Sequence, residues 1–214
     1  GILFYLRALF SIAANSAAVM ADEIRNNTMQ LLMSTPMSLD QIFLGKVAAS
    51  IWRKMDDLIM IVQGAALFGP PLIIMHYASL FPLRESGALT YVLIIAMSLV
   101  SLARLVLEPV MFGMIGIGIG TFVPFRSIAM TSSAAVVGFY FLLMYMLQQL
   151  NLSFLDVALE AAAEATELTA ALANTRLLLG ISLTVLIELL LPVVIPYLLI
   201  RFMMHLAGRH IRAN

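Results

Sequence analysis

Long apolar runs separated by short polar punctuation set out this chain. The first run, Gly1 to about Met20, matches the ~20 helical residues that cover a ~30 Å hydrocarbon core. Arg7 interrupts it, and Asp22, Glu23 and Arg25 end it. A second span is expected from Leu58 to about Tyr77, kinked at Gly69-Pro70-Pro71. Asp56 and Asp57 stand at its start, where negative charge favours a helix N-terminus. Ala78–Gly87, with Pro82, Arg84 and Glu85, reads as a short polar loop, and Ile128 to about Leu150 as a further span. Asn151–Thr175 is an alanine-rich, helical loop with acids at Asp156, Glu160, Glu164 and Glu167. Leu177–Ile200, holding Glu188, Pro192 and Pro196, is the last span, and a tail with Arg201, Arg209 and Arg212 follows.

The one long polar-punctuated stretch is Asp22–Lys54, and two short helices are legible inside it. Met29, Leu32 and Met33 share a helical face, and Pro36 stops that helix. Ser38 with Gln41 three residues on is a capping-box pattern, which starts a second helix at Leu39. Its apolar face is Leu39, Ile42, Phe43 and Val47, suited to a membrane surface or a partner. Thr35-Pro36-Met37 then forms a rigid elbow, and Trp52, Arg53 and Lys54 mark re-entry at a membrane interface.

Ala88–Val123 is long enough for two short spans but carries Arg104, Glu108 and Pro109 in its middle. Arg104 and Glu108 are four apart, so on a continuous helix they share a face and can pair. An unpaired charge at mid-bilayer costs ~2.5–3.5 kcal/mol or more. Gly113, Gly116, Gly118 and Gly120 offer a smooth surface for close helix approach. Lys and Arg accumulate in cytoplasmic loops, so orientation bears on the span count. With one crossing here, Arg25, Lys46, Arg53, Lys54, Arg126, Arg201, Arg209 and Arg212 share one side, against Arg84 and Arg176 on the other. With two crossings the asymmetry vanishes. Five crossings are therefore expected, with residues 21–55 and the C-terminal tail cytoplasmic and 151–175 external.

Composition narrows the class further. Sixty-two per cent apolar residues, 11% charged and a mean hydropathy of +1.01 describe an all-α integral membrane protein, a polytopic helical bundle in one transmembrane domain over 1–214. With no cysteine, disulfides and thiolate metal sites are excluded, and three scattered histidines make no metal-ligand pattern. No basic run points to nucleic acid. Gly45-Lys46 is not a phosphate loop, because Asp40 stands where the first glycine belongs and Val47 where Ser or Thr belongs. The apolar opening without a leader reads as a truncation, with one upstream span expected.

From Glu23 to Lys46 the chain resembles the permease subunits of ABC-2-type exporters. The matching residues are Glu23, Asn27-Thr28, Leu31-Leu32, Thr35-Pro36, Ser38, Ile42 and Leu44-Gly45-Lys46, with Asn27 where the family more often has Gly. The resemblance implies a six-span protein of the plasma membrane that forms a translocation pathway with a second permease subunit. It implies no cofactor in this chain, with ATP-Mg bound by a separate ABC ATPase docked on the cytoplasmic coupling-helix elbow. The implied coupling residues are Glu23, Thr28, Leu31, Leu32, Met33, Thr35, Pro36, Ser38, Gly45 and Lys46, with Leu31, Leu32 and Met33 filling a groove on the ATPase.

Other readings stay open on the residues alone. Arg104, Glu108 and Glu188 suit either a pathway or structural pairing, and would serve an ion- or proton-coupled carrier without an ATPase. A non-transporting membrane scaffold fits the same composition. No Ser/His pair or set of paired acids has the spacing of a hydrolase.

Overall fold

The computed structural model describes residues 2–34, 36–80, 83–163, 182 and 185–213. Among these residues every regular element is helical. The helices are α1 (Ile2–Arg25), α2 (Thr28–Met33), α3 (Leu39–Trp52), α4 (Met55–Leu80), α5 (Leu83–Phe122) and α6 (Arg126–Ala163), then a π-helical turn (Val185–Leu190) and α7 (Leu191–Ala213). Among the described residues five stretches are long and apolar enough to cross a membrane: Leu3–Arg25, Met55–His76, Tyr91–Phe122, Arg126–Gln149 and Val185–Ala213. The chain is a multi-pass helical membrane protein.

α5 is the axis of the bundle. Its 40 residues form one unbroken helix, ~60 Å long at 1.5 Å per residue, so the region 88–123 does not double back. The Pro109 ring sits inside it without ending it. α1 lies beside α5 in constant parallel register. Tyr5 meets Glu108, 103 residues away, and the same separation relates Ala13 to Gly116 and Ala17 to Gly120. A side chain at Gly116 would run into the Ala13 carbonyl oxygen, and one at Gly120 into that of Ala17. Those two glycines let the backbones of α1 and α5 touch, as small residues do between membrane helices. Gly113 instead seats Val47 of α3, and Gly118 seats Met203 of α7. The glycine-rich segment therefore serves three neighbours, where the sequence suggested one smooth face. α6 runs back along α1, with Ala129 against Ala17 and Ala21, and Val137 against Leu9 and Ala13.

The core at the far end of α5 gathers Met20, Met29, Ile42, Phe43, Val47, Met114, Ile117 and Ala207 from five helices. Here the apolar face of α3 departs from expectation. Ile42, Phe43 and Val47 are buried, but against α5 and α7 of the same chain. Gly113 explains it, since it removes the side chain that would keep α3 off the bundle.

Three loop assignments also change. Residues 78–80 end α4 and 83–87 begin α5, so the Ala78–Gly87 loop is helical on both sides of 81–82. Polar composition there does not mean the absence of a helix. Residues 151–163 continue α6, while 164–175 of the alanine-rich loop lie outside the described residues. The basic tail is the last part of α7, because Met203, Met204, Ala207 and Ile211 give it an apolar face that packs on the core.

Candidate functional site

Two places concentrate chemistry, one at each end of the shared α1–α5 register. The first is the elbow between α1 and α3. α1 closes at Arg25, and Asn27 takes the left-handed conformation, φ 55°, before α2 begins. Asparagine and glycine tolerate that region where β-branched residues do not. The Thr28 hydroxyl donates to the Glu23 carbonyl (3.4 Å) across this turn. α2 lasts six residues, and the Ser34 hydroxyl donates back to the Leu31 carbonyl at 2.7 Å. After Pro36 and Met37 the expected capping box is present. The Gln41 amide N–H donates to Ser38 Oγ (3.3 Å), and the Ser38 N–H donates to Gln41 Oε1 (3.0 Å).

What closes the elbow is an ion pair between its two ends: Lys46 Nζ of α3 meets Glu23 Oε1 of α1, both side chains largely buried. Asp22 next to it binds Arg25 (3.3 Å) and reaches Arg126 at the start of α6 (3.1 Å). The outer surface is then Leu31 (71% exposed), Pro36 and Met37 (53% exposed). Leu32 turns inward, half-buried against the core of Met29, Ile42 and Phe43. The Met33 side chain and Thr35 lie outside the described residues. At Gly45 the surroundings are open, so no close neighbour demands a glycine there.

The second place is a groove of about 560 Å³ between α4 and α5, closed at its base by α1. Its walls are apolar, chiefly Leu72, Ile73, Leu102 and Leu105, with Ser98 and Ser101 along one side. Its polar end is the pair expected from sequence spacing. Arg104 Nε and Nη2 both approach Glu108 Oε1 at 2.8 Å. Glu108 Oε2 accepts from the Tyr5 hydroxyl at 2.7 Å. Glu108 is wholly buried, whereas Arg104 is partly open to the groove. Both carboxylate oxygens are thus satisfied, as a buried charge requires.

Tyr5 is the member that sequence reading missed, since nothing local to Tyr5 refers to a residue 103 positions later. The parallel register of the small residues Ala13 and Ala17 with Gly116 and Gly120 was the only available signal. Glu188 is not brought to this cluster. It is buried in the π-helical turn before α7 and does not line the groove. No protein-family model, curated protein or solved structure matches this chain.

Proposed function

We propose that this chain is the transmembrane subunit of an ATP-driven exporter of the ABC-2 type, coupled through the α2–α3 elbow to a separate ATPase. The observation that carries the reading is the closure of the motif on itself. Glu23 and Lys46, the charged ends of the resembling segment, pair across the elbow and hold its apolar tip outward. A docking element needs such a shape: a fixed base, so that a push is transmitted, and an exposed apolar tip, so that a partner can grip it.

Rigidity at the base has three sources. Phe43 is fully buried, Val47 is seated on Gly113, and α3 begins with a complete capping box. Displacing the tip therefore moves α3 against α5, and α5 carries Arg104 and Glu108 at the groove. Asn27 at φ 55° supports the family resemblance too, because the turn calls for the conformation that Gly and Asn share.

The corner of Trp52, Arg53 and Lys54 suits the headgroup level, where aromatic rings and cations anchor. Trp52 is 73% exposed there. Ile51 and Leu58, which flank the corner, pack on Ala8 and Ile12 of α1, so the elbow stands on the far side of this level from the groove. The charge bias supports the cytoplasm for that side, with residues 21–55 and the end of α7 facing it in a plasma-membrane protein. The groove then lies within the bilayer, open to amphipathic or apolar compounds, and a second permease subunit would complete the pathway.

Purification of the chain in mild detergent from its native host tests the reading. An ABC ATPase is expected to co-purify at fixed stoichiometry, and Leu31→Asp is expected to weaken that association roughly tenfold, as loss of an apolar anchor does. Transport by the chain alone, driven by an ion gradient, would support instead a carrier built on Arg104 and Glu108.

A further inference from the structure

A second cavity, of about 370 Å³, lies between the N-terminal end of α3 and the last turns of α7. Arg201, His205, Arg209 and Arg212 line it, and their spacing of four, four and three residues puts them on one stripe of α7. Leu39 and Met204 form its apolar floor, and Asp40 is the one acid among the described residues that line it. Arg201 is held by Tyr197, whose hydroxyl accepts from Nε at 3.4 Å and whose ring lies 5.7 Å from the guanidinium carbon. Arg209 and Arg212 make no ion pair or hydrogen bond to any described residue. Three arginines against one aspartate leave the cavity with a positive charge that nothing in the described protein neutralises.

The same stripe continues upward as hydrocarbon. Val194 (42% exposed) and Leu198 (58% exposed) precede Arg201 at helical spacing. Exposed aliphatic side chains therefore give way to exposed cations along one helix face. Met203 of α7 meets Gly118 of α5, and Ala13 of α1 meets Gly116, so Arg201 lies near the level of Ile12, as does the Trp52–Lys54 corner. The change from apolar to cationic thus falls near the level of the Trp52–Lys54 corner, whose aromatic ring and cations suit the headgroup region.

From this coincidence of cavity, charge and depth, we infer that the cavity between α3 and α7 binds the headgroup of an anionic phospholipid. The phosphate sits among Arg201, Arg209 and Arg212, and the acyl chains lie along Val194 and Leu198. A volume of this order falls within the roughly 300–1,000 Å³ of small-ligand sites, and basic pockets between membrane helices on the cytoplasmic side suit such headgroups. Because one wall is the start of α3, an occupied site would brace the elbow from below. The inference rests on the orientation and interface level proposed above, and it stands apart from coupling to an ATPase.

The test uses the purified full chain in nanodiscs of phosphatidylcholine and follows binding of a fluorescent phosphatidylglycerol. Unlabelled phosphatidylglycerol is expected to displace the probe, while phosphatidylcholine and inorganic phosphate are not. Each arginine near the surface contributes about fivefold to such binding, so Arg209→Gln with Arg212→Gln should weaken it by roughly thirtyfold. Arg209→Lys with Arg212→Lys should retain most of it, and that charge-keeping variant separates lost binding from lost folding. Equal displacement by both phospholipids, or unchanged binding in the glutamine variant, would overturn the site. Displacement by inorganic phosphate would overturn the lipid as its occupant. Loss of ATPase association in the glutamine variant, with lipid preference intact, would make these arginines a protein interface and refute the proposal.

Discussion

Two carboxylates, Glu108 at the groove and Asp22 at the elbow, are each held by arginine and differ in surroundings. Glu108 at the groove is wholly buried, and its oxygens take both the Arg104 guanidinium and the Tyr5 hydroxyl. Asp22 at the elbow is paired with Arg25 and Arg126, both of which are more than half exposed. The first pair lies where water cannot compensate for a missing partner, and the second where it can. Charge within the groove thus acts through the penalty for removing it, and the exposed charge of Asp22 acts mainly through the shape it holds.

The largest effect should come from breaking the groove pair on one side. Arg104→Leu leaves Glu108 buried with Tyr5 alone, and a loss of about 3–5 kcal/mol is expected, the usual result for a halved buried pair. Arg104→Leu combined with Glu108→Leu should recover most of it, because no uncompensated charge then remains. Thermal unfolding of both variants in one detergent reads the comparison. A double variant as unstable as the single one would mean that the pair supplies something beyond mutual neutralisation.

Next in size is Phe43→Ala, which empties a fully buried position beneath the elbow and should cost about 3–4 kcal/mol. Its interest is local: protease cleavage near Pro36 should accelerate while the groove end of α5 keeps its protection from hydrogen exchange. Loss of protection at both ends would show that the two regions are one cooperative unit.

A smaller effect attaches to the turn before α2. Asn27→Gly keeps the left-handed conformation available and should change stability by a few tenths of a kcal/mol, whereas Asn27→Val should cost about 1–2 kcal/mol. Smallest of all is Asp22→Asn. It removes exposed pairs, each worth about 0–1 kcal/mol, and its melting temperature should stay close to that of the parent. A drop there comparable to that of Arg104→Leu would erase the contrast between the two regions.

Much of this architecture was legible wherever the determining residues are neighbours in the chain. Ser38 and Gln41 announce the start of α3, and Arg104 and Glu108 announce their pairing, because each pair lies within one helical turn. The five apolar stretches were visible through their length, and charge asymmetry favoured one crossing for 88–123 before a continuous α5 was seen. Long-range contacts were less accessible. Four glycines between 113 and 120 signal close approach, yet nothing in them tells that Gly113 receives α3, Gly118 receives α7, and Gly116 and Gly120 receive α1. Tyr5 was silent for the same reason. An apolar stripe on α3 carries no label for what covers it, so the bundle of the same chain was not distinguished from a membrane surface. Arg201–Arg212 read as a tail because cations drew attention from Met203, Met204, Ala207 and Ile211, which share that segment and bury it.

The central claim is that the elbow is gripped by a partner, and the absence of cysteine from this chain makes it directly testable. Single variants Leu31→Cys and Met37→Cys place a thiol on the exposed tip, and Leu67→Cys, 70% exposed on α4, places one on the membrane face. Native membranes holding each variant are treated with a short homobifunctional thiol crosslinker and analysed by mass spectrometry. The account predicts crosslinks from positions 31 and 37 to one ABC ATPase and none to it from position 67. Failure of both elbow positions to capture an ATPase, or equal capture from position 67, would contradict it.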